Sequence, residues 1–285
     1  RRKSKMRNLK RALSLALASI MLLGLMVIGA GAVSYNDLTD KDEIVNKDAV
    51  SMLVALDIIQ GKPDGSYAPA ENVDRAQMAK MLSVIMNKGV DNSALYQSVN
   101  SGLTDINNSW AKGHINYCYT TGIIAGRGNG TFDPSATVTA LEAAKMLLVA
   151  VGYDPSIEGF VGTDWALNVS VRADAQGIFR NFTKDLTAPL NRDDAALLIY
   201  NALDVEMIQS YTTNNYPIAY SDHRTILSDK YGVIRVQGVV VANEWATLNS
   251  DNGDAALKEG KTTIYNPDGI LSTTTNTAVG NDEAN

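Results

Sequence analysis

The sequence predicts a mainly α-helical protein made of three helical repeats, followed by a short β-rich segment. Three observations support this fold class. Residues 57–77 recur at 122–142 in a constant register, so that Gly61 corresponds to Gly126 and Pro69 to Pro134, and an eroded third copy spans 177–194. Apolar residues recur at helical spacing beside the first two copies. After Leu203 this spacing stops and β-branched residues become frequent. Tandem repeats constrain an architecture more strongly than any single motif, so the repeats decide the class.

Each copy contains the same series of local signals. An apolar helix ends at a glycine turn, and a Gly-rich loop leads to an aromatic residue and a proline. A polar N-cap and a second apolar helix follow. The predicted caps are Asp74, Thr139 and Asn191, and each has an acid or amide three residues later, which is the spacing of a capping box. Those partners are Gln77, Glu142 and Asp194.

The residue after each cap is Arg75, Ala140 or Arg192. A cation is unusual at this position because the helix N-terminus already carries partial positive charge. Free backbone N–H groups beside a guanidinium form a site for a carboxylate or a phosphate, so both arginines are candidate anion ligands. The alternative is that the arginines are solvated or pair with a nearby aspartate.

The predicted repeats are separated by polar linkers. We place repeat one at 33–87, repeat two at 102–152 and a divergent repeat three at 163–203. One repeat cannot bury its apolar faces alone, so we expect the three to share a core. The core-facing helical stripes are Ala49, Met52, Leu53 and Leu56, then Met78, Ala79, Leu82, Ile85 and Met86, then Ala144, Leu147, Leu148 and Val151.

The C-terminal segment, 204–285, has a different composition. Residues 231–241 are β-branched and alternate in part, which predicts one or two strands, and residues 261–265 predict another. Two or three strands are too few for an independent sheet. The segment therefore either packs on the repeats or begins a truncated domain, and we favour the truncated domain.

Residues 1–32 predict a secretory signal peptide. They contain seven Lys or Arg and no acid, with an apolar run that ends in Ala30-Gly-Ala32. An uncleaved membrane anchor is the alternative, because the apolar run is long. Removal of this stretch changes the formal net charge from −6 to −13. The exported chain is then acidic, so we expect no nucleic-acid partner.

The sequence predicts no metal site, no cofactor and no catalytic residue. Its two histidines and one cysteine lack metal-ligand spacing. The acids within 37–43 lack the glycine and terminal glutamate of a calcium loop, which favours a solvated turn over calcium binding. Phosphate-loop, dinucleotide and nucleophile-elbow motifs do not occur.

The repeats resemble the S-layer homology family over about residues 35–203. The resemblance rests on the second copy, which contains Leu103-Thr-Asp-Ile106, Trp110-Ala111, Gly122-Ile-Ile-Ala-Gly126, Asn129-Gly-Thr-Phe-Asp-Pro134 and Val138-Thr-Ala-Leu-Glu142. In the first copy we match the opening motif to Tyr35-Asn-Asp37. Lys47-Asp48-Ala49 stands there in place of the Trp-Ala pair. The third copy matches through Trp165 and Arg192 but lacks the Asp-Gly loop.

The resemblance implies a pseudo-threefold helical bundle with grooves between repeats. It also implies noncovalent anchoring to an acidic, often pyruvylated, secondary cell-wall polysaccharide. Arg75 and Arg192 would meet the acidic group, and the tryptophans would either pack on sugar rings or anchor helices. Because Ala140 replaces the arginine in copy two, we expect at most two competent grooves. The remaining candidate ligand-binding residues are Trp110, Trp165, Asp64, Gly65, Asn129 and Gly130.

Three functions are compatible with these features. We favour a secreted, non-enzymatic protein of the cell wall or cell surface, either an S-layer subunit or an S-layer-like component. The second possibility is a wall-anchored carbohydrate-active enzyme whose catalytic domain lies outside this sequence, since an enzyme would need paired acids in a further domain. The third is a structural unit whose repeats assemble with one another.

Overall fold

A computed structural model describes residues 34–233, 235, 239–242, 261–265 and 271–275. The predicted signal peptide, 1–32, lies outside the described residues. No helix in the described part is long and apolar enough to cross a membrane. The chain divides into two compact units, the first ending at Tyr231 and the second beginning at Gly232.

Helices dominate the first unit. Its α-helices are α1 (Lys47–Ala55), α2 (Arg75–Met86), α3 (Lys112–Thr120), α4 (Ala140–Ala150), α5 (Trp165–Ala175), α6 (Arg192–Ala202) and α7 (Ile226–Tyr231). Short 3-10 helices lie at Tyr35–Asp37, Lys41–Glu43 and Ser93–Tyr96, and a hairpin is formed by β1 (Ile208–Tyr211) and β2 (Pro217–Ala219). The described chain is therefore mainly α, as predicted.

The three predicted N-caps are confirmed. The side chains of Asp74, Thr139 and Asn191 each accept a hydrogen bond from the backbone N–H three residues later, at 2.7, 3.2 and 2.8 Å. Gln77 and Glu142 accept in turn from the cap N–H, which completes two capping boxes. These bonds fix where the second helix of each predicted repeat begins.

Helices from neighbouring predicted repeats pack in a cyclic order. The first helix of each repeat packs on the second helix of the repeat before it: α3 lies on α2 and α5 lies on α4. The circle closes because α1 packs on α6. The predicted apolar stripes contribute to one buried cluster, in which Leu53, Leu82 and Leu147 are at most 2 % exposed. The three helix pairs thus share a core, as expected from the repeat pattern.

A closed ring of backbone hydrogen bonds joins the residues just before the three caps. Val138 N donates to Val73 O at 2.9 Å, Val73 N donates to Leu190 O at 2.9 Å, and Leu190 N donates to Val138 O at 2.8 Å. All three side chains are buried. Since each segment donates to one neighbour and accepts from the other, the three helix starts converge at one point.

The structure corrects the opening motif of the first copy. Asp40 accepts from the N–H groups of Tyr67 and Ala68, both at 2.7 Å. Asp105 makes the equivalent bonds to the loop at Phe132 in the second copy. Asp40, and not Asp37, is therefore the counterpart of Asp105. The error came from matching an aromatic residue when Leu-Thr-Asp was the shared sequence.

Residues 204–231 pack on the helices instead of starting a separate domain. Ile208 N donates to Val151 O at 2.8 Å, and Leu227 N donates to Leu203 O at 3.0 Å. The hydroxyl of Tyr231 also donates to the carbonyl of Ile85, at 3.3 Å. The boundary between the two units thus lies at 231/232, whereas the sequence placed the change at 203/204.

The second unit contains one antiparallel sheet among its described residues, in the order β3 (Val239–Ala242), β4 (Lys261–Tyr265) and β5 (Leu271–Thr275). Val239 pairs with Tyr265, and Lys261 pairs with Thr275. The strand predicted at 261–265 is confirmed. One or two strands were predicted within 231–241, and the described residues of that stretch include Tyr231 at the end of α7 and the strand β3 from Val239.

Candidate ligand-binding site

Arg75 begins α2 and reaches into the loop of the next repeat. Its Nε donates to the carbonyl of Phe132 at 2.8 Å, its Nη2 donates to the carbonyl of Ala125 at 2.9 Å, and its Cζ lies 4.4 Å from the Phe132 ring centroid. The residue is only 4 % exposed. Burial, together with the nearby charge of Arg127, lowers the pKa of Arg75 to about 10, so the guanidinium stays charged at neutral pH.

Arg192 makes the same contacts from α6 to the loop of the first repeat. Its Nε donates to the carbonyl of Tyr67 at 2.8 Å and its Nη2 donates to that of Gln60 at 3.3 Å, with Cζ 4.7 Å from the Tyr67 ring. Tyr67 and Gln60 are the first-copy counterparts of Phe132 and Ala125. Arg192 is half-buried, so more of it reaches solvent than of Arg75. Both arginines therefore hold the loop of the following repeat.

Further charged side chains surround Arg75. Arg127 Nη1 donates to Glu142 Oε1 at 3.1 Å, and Arg75 Nη1 lies 3.9 Å from the same oxygen. Lys145 Nζ lies 5.4 Å from the Trp165 ring centroid. Burial, followed by the charge of Arg75, lowers the pKa of Lys145. We call this set of five residues cluster A: Arg75, Arg127, Glu142, Lys145 and Trp165.

From the repeat register we infer an equivalent set of residues near Arg192. In the first copy, the counterparts of Arg127, Glu142 and Lys145 are Lys62, Gln77 and Lys80, and Trp110 of the second copy corresponds to Trp165 of the third. Lys80 interacts electrostatically with His114, and the Trp110 ring packs edge-on against His114 at 6.3 Å. We call this second set cluster B: Arg192, Lys62, Gln77, Lys80 and Trp110.

The junction between the second repeat and the predicted third repeat lacks the equivalent residues. Ala140 replaces the arginine, and Leu197 stands where the clusters have a lysine. The register that pairs Asp40 with Asp105 also corrects the match of the Trp-Ala pair to Lys47-Asp48-Ala49, because it places Val45 at the tryptophan position. Ala140 and Leu197 are buried, whereas Val45 is 82 % exposed. This junction therefore lacks the arginine, the helix lysine and the aromatic face found at the other two, although Lys184 pairs with Asp194 there.

The predicted loop residues build a turn in each of the first two repeats. Asp64 accepts from both the N–H and the hydroxyl of Ser66, and Asn129 accepts in the same way from Thr131. Gly65 and Gly130 have φ values of +83° and +80°, which favour glycine. These residues give the two loops the same turn, and the same loops contain Lys62 of cluster B and Arg127 of cluster A.

The two predicted tryptophans differ in exposure. Trp110 is 60 % exposed. Trp165 is half-buried at the start of α5, with Lys145 above its ring. An exposed indole beside cations provides a flat apolar face on which a sugar ring can pack.

Sequence reasoning missed four cations: Lys62, Lys80, Arg127 and Lys145. The sequence does contain a signal for them, because the register of the first two copies aligns Lys62 with Arg127 and Lys80 with Lys145. Lys62 and Arg127 lie inside the Gly-rich loops, which the sequence analysis interpreted only as turns, whereas Lys80 and Lys145 lie beyond the recurring segments. The arginine, the lysine and the tryptophan of one cluster come from different predicted repeats, and the sequence alone does not show that they lie close together.

Comparison with known proteins gives a family match and relatives that agree with one another. The family described as "S-layer homology domain" matches residues 34–79 and 102–144. The chain is 27% identical over 270 residues to a cell surface protein of Thermoanaerobacter kivui, covering 94% of this chain and 32% of the relative. It is 26% identical to the middle cell wall protein of Brevibacillus brevis, covering 87% of this chain and 23% of that protein.

Enzymes also occur among the relatives. The exoglucanase XynX of Acetivibrio thermocellus is 28% identical over 193 residues, which cover 61% of this chain and 16% of the enzyme. In each of these three relatives the matched region is less than a third of the full length. The shared part is thus a module found in both surface proteins and enzymes. The S-layer homology domain thus matches two segments of the chain, and this match and the surface-protein relatives support a cell-wall or cell-surface location.

Proposed function

We propose that this chain anchors a surface protein to cell-wall polysaccharide, noncovalently, through clusters A and B. The observation that carries the proposal is the recurrence of arginine, lysine and tryptophan at two of the three junctions. Cations attract an acidic polymer and an exposed aromatic ring packs on a sugar face. The chain has a formal net charge of −6, so such a polymer would be held only where cations are concentrated locally.

The proposal gives different roles to the predicted site residues. Arg75 and Arg192 supply positive charge from beneath the site, because their Nε and Nη2 groups already hold loop carbonyls. Lys80 and Lys145 are half-buried and would contact the acidic group of the polymer, such as a pyruvate ketal. Trp110 and Trp165 would pack on sugar rings. The Asp64-Gly65 and Asn129-Gly130 turns would present backbone groups at the rim.

We further propose that residues 163–203 form a third, divergent repeat and that the three repeats make a pseudo-threefold bundle. The cyclic packing of α1, α3 and α5 and the ring through Val73, Val138 and Leu190 support this arrangement. Its third junction would be silent, since it has Ala140 and Leu197 in place of the cations. The protein that the module anchors would be a non-enzymatic surface-layer component, as the surface-protein relatives with the widest coverage suggest.

The proposal is tested by co-sedimentation of the chain with purified cell walls of Thermoanaerobacter kivui. One portion of the walls is used intact, and another is first treated with hydrofluoric acid, which releases secondary polymers and leaves peptidoglycan. We expect the chain to pellet with intact walls and to stay in solution with extracted walls. Equal pelleting with both would contradict a polysaccharide ligand, and no pelleting with either would contradict wall anchoring.

A further inference from the structure

Clusters A and B share their layout but differ in charge at one position. Glu142 in cluster A corresponds to Gln77 in cluster B. Both side chains make the same capping bond: Oε2 of Glu142 accepts from Thr139 N at 3.1 Å, and Oε1 of Gln77 accepts from Asp74 N at 3.0 Å. The cap therefore does not require a carboxylate at this position, and the two five-residue sets differ by one negative charge.

In cluster A the second carboxylate oxygen of Glu142 faces the cations. It accepts from Arg127 Nη1 at 3.1 Å and lies 3.9 Å from Arg75 Nη1. This carboxylate is mostly buried, with 20% of its side chain exposed. It thus occupies the place where the acidic group of a ligand would meet the same two guanidinium groups.

Cluster B has no such internal carboxylate among the described residues. Arg192 donates to the carbonyls of Tyr67 and Gln60, and no described carboxylate lies within ion-pair distance of its guanidinium. Lys62 pairs with Glu71, but that carboxylate is 45% exposed and can turn away into solvent. The charge of Arg192 is therefore left for an external anion.

We propose that cluster B is the principal site for the acidic group of the wall polymer, and that Glu142 acts in cluster A as a built-in competitor for that group. This inference rests on the proposed wall-anchoring function. A neighbouring like charge in a partly exposed site changes anion affinity by about fivefold. The two clusters should then bind the same acidic sugar with different affinities, although their cations and aromatic rings correspond.

The test uses the full chain and isothermal titration calorimetry. The probe is a methyl hexoside carrying a pyruvate ketal, and the same hexoside without the ketal shows whether the acid is needed. Glu142→Gln removes the competitor and keeps the cap, since Gln77 already makes that cap in the same chain. Gln77→Glu introduces the competitor into cluster B. Lys80→Ala and Lys145→Ala weaken one cluster each, and Lys184→Ala is the matched control at the third junction.

We expect Gln77→Glu to weaken the tighter site about fivefold and Glu142→Gln to strengthen the weaker site by a similar factor. Lys80→Ala should lose the tighter site, while Lys145→Ala and Lys184→Ala keep it. Equal losses for Lys80→Ala and Lys145→Ala, or unchanged affinities for both charge variants, would overturn the inference and leave wall anchoring intact. A wild-type chain that pellets with walls but does not bind the ketal probe would also overturn it. Failure to bind either walls or probe would overturn the proposed function itself.

Discussion

Arg75 lies on the ring of Phe132 in the following repeat and donates from Nε to the carbonyl oxygen of the same residue, at 2.8 Å. One side chain therefore holds a loop by its backbone and by its ring. Because Arg192 contacts Tyr67 in the same way, the arginines are joints between repeats as well as sources of charge. A variant at either position changes both stability and charge, so binding tests are better made at the lysines.

Arg75→Ala should destabilise the first unit by about 2–3 kcal/mol, because the buried carbonyl of Phe132 and the part-buried carbonyl of Ala125 lose their donor. Urea unfolding followed by circular dichroism measures this loss. Arg127→Ala is the control, since that side chain is exposed and should change stability by less than about 0.5 kcal/mol. Similar losses for the two variants would contradict a structural role for Arg75.

Asp74→Ala should cost about 1 kcal/mol of stability, because the N–H of Gln77 loses its acceptor at the start of α2. Asp164 provides a matched control. It precedes α5 in the N-cap position but its side chain makes no capping bond. Thermal unfolding should therefore show a clear decrease for Asp74→Ala and little change for Asp164→Ala, and the reverse order would count against the cap assignment.

His114 should make the stability depend on pH. Its ring is 3 % exposed, with Nδ1 2.6 Å from Ser83 Oγ and Nε2 3.6 Å from Asp91 Oδ2. Burial lowers the pKa of His114, and Lys80 lowers it further, although Asp91 opposes this shift.

The unfolded chain, in which a histidine has a pKa of about 6.5, then binds the proton more readily than the folded chain. Stability should fall as the pH drops below about 6.5 and level off below the folded pKa. Urea midpoints measured from about pH 7.5 to about pH 5.5 should show this slope for the wild type. The dependence of the urea midpoint on pH should be weaker in His114→Gln. The exposed His223 is present in both proteins, so it does not contribute to the difference. An unchanged slope in the variant would show that other groups cause it.

Gly152→Ala should detach the β1–β2 hairpin from the helices. A methyl group at Gly152 would lie 2.5 Å from the carbonyl oxygen of Ile208, next to the bond that ties Ile208 to Val151. Gly162→Ala is the control, because Gly162 also has a positive φ but has no atom within 4 Å of the added carbon. Limited proteolysis should cut within 204–231 faster in Gly152→Ala only. Equal cleavage of the two variants would mean that backbone strain, and not packing, causes the change.

The helical part was predictable because its signals are local and repeated. Caps such as Asp74 and Thr139 depend on residues three positions apart, and both were found where the sequence placed them. The hairpin at Ile208–Tyr211 and the short α7 were missed, since strands and helices of this length carry little periodicity and form here by packing on the repeats.

The candidate site was predictable only in part. Arg75 and Arg192 stood out by their position after the caps, but nothing local shows that each reaches a loop about 50 or 125 residues away. The pairing of Lys145 with Trp165 likewise depends on packing between α4 and α5. The distances between the predicted repeats depend on the closed packing order of their helices, and this order cannot be read from the sequence.

The most direct test of wall anchoring through clusters A and B is co-sedimentation with intact cell walls, comparing two double variants of the full chain. Lys80→Ala with Lys145→Ala removes one cation from each cluster, whereas Lys112→Ala with Lys184→Ala removes the same charge elsewhere. We predict that the first double variant stays in solution, that the second pellets like the wild type, and that both keep the wild-type circular dichroism spectrum. Equal pelleting of the two double variants would contradict the account, because binding would then not depend on these clusters.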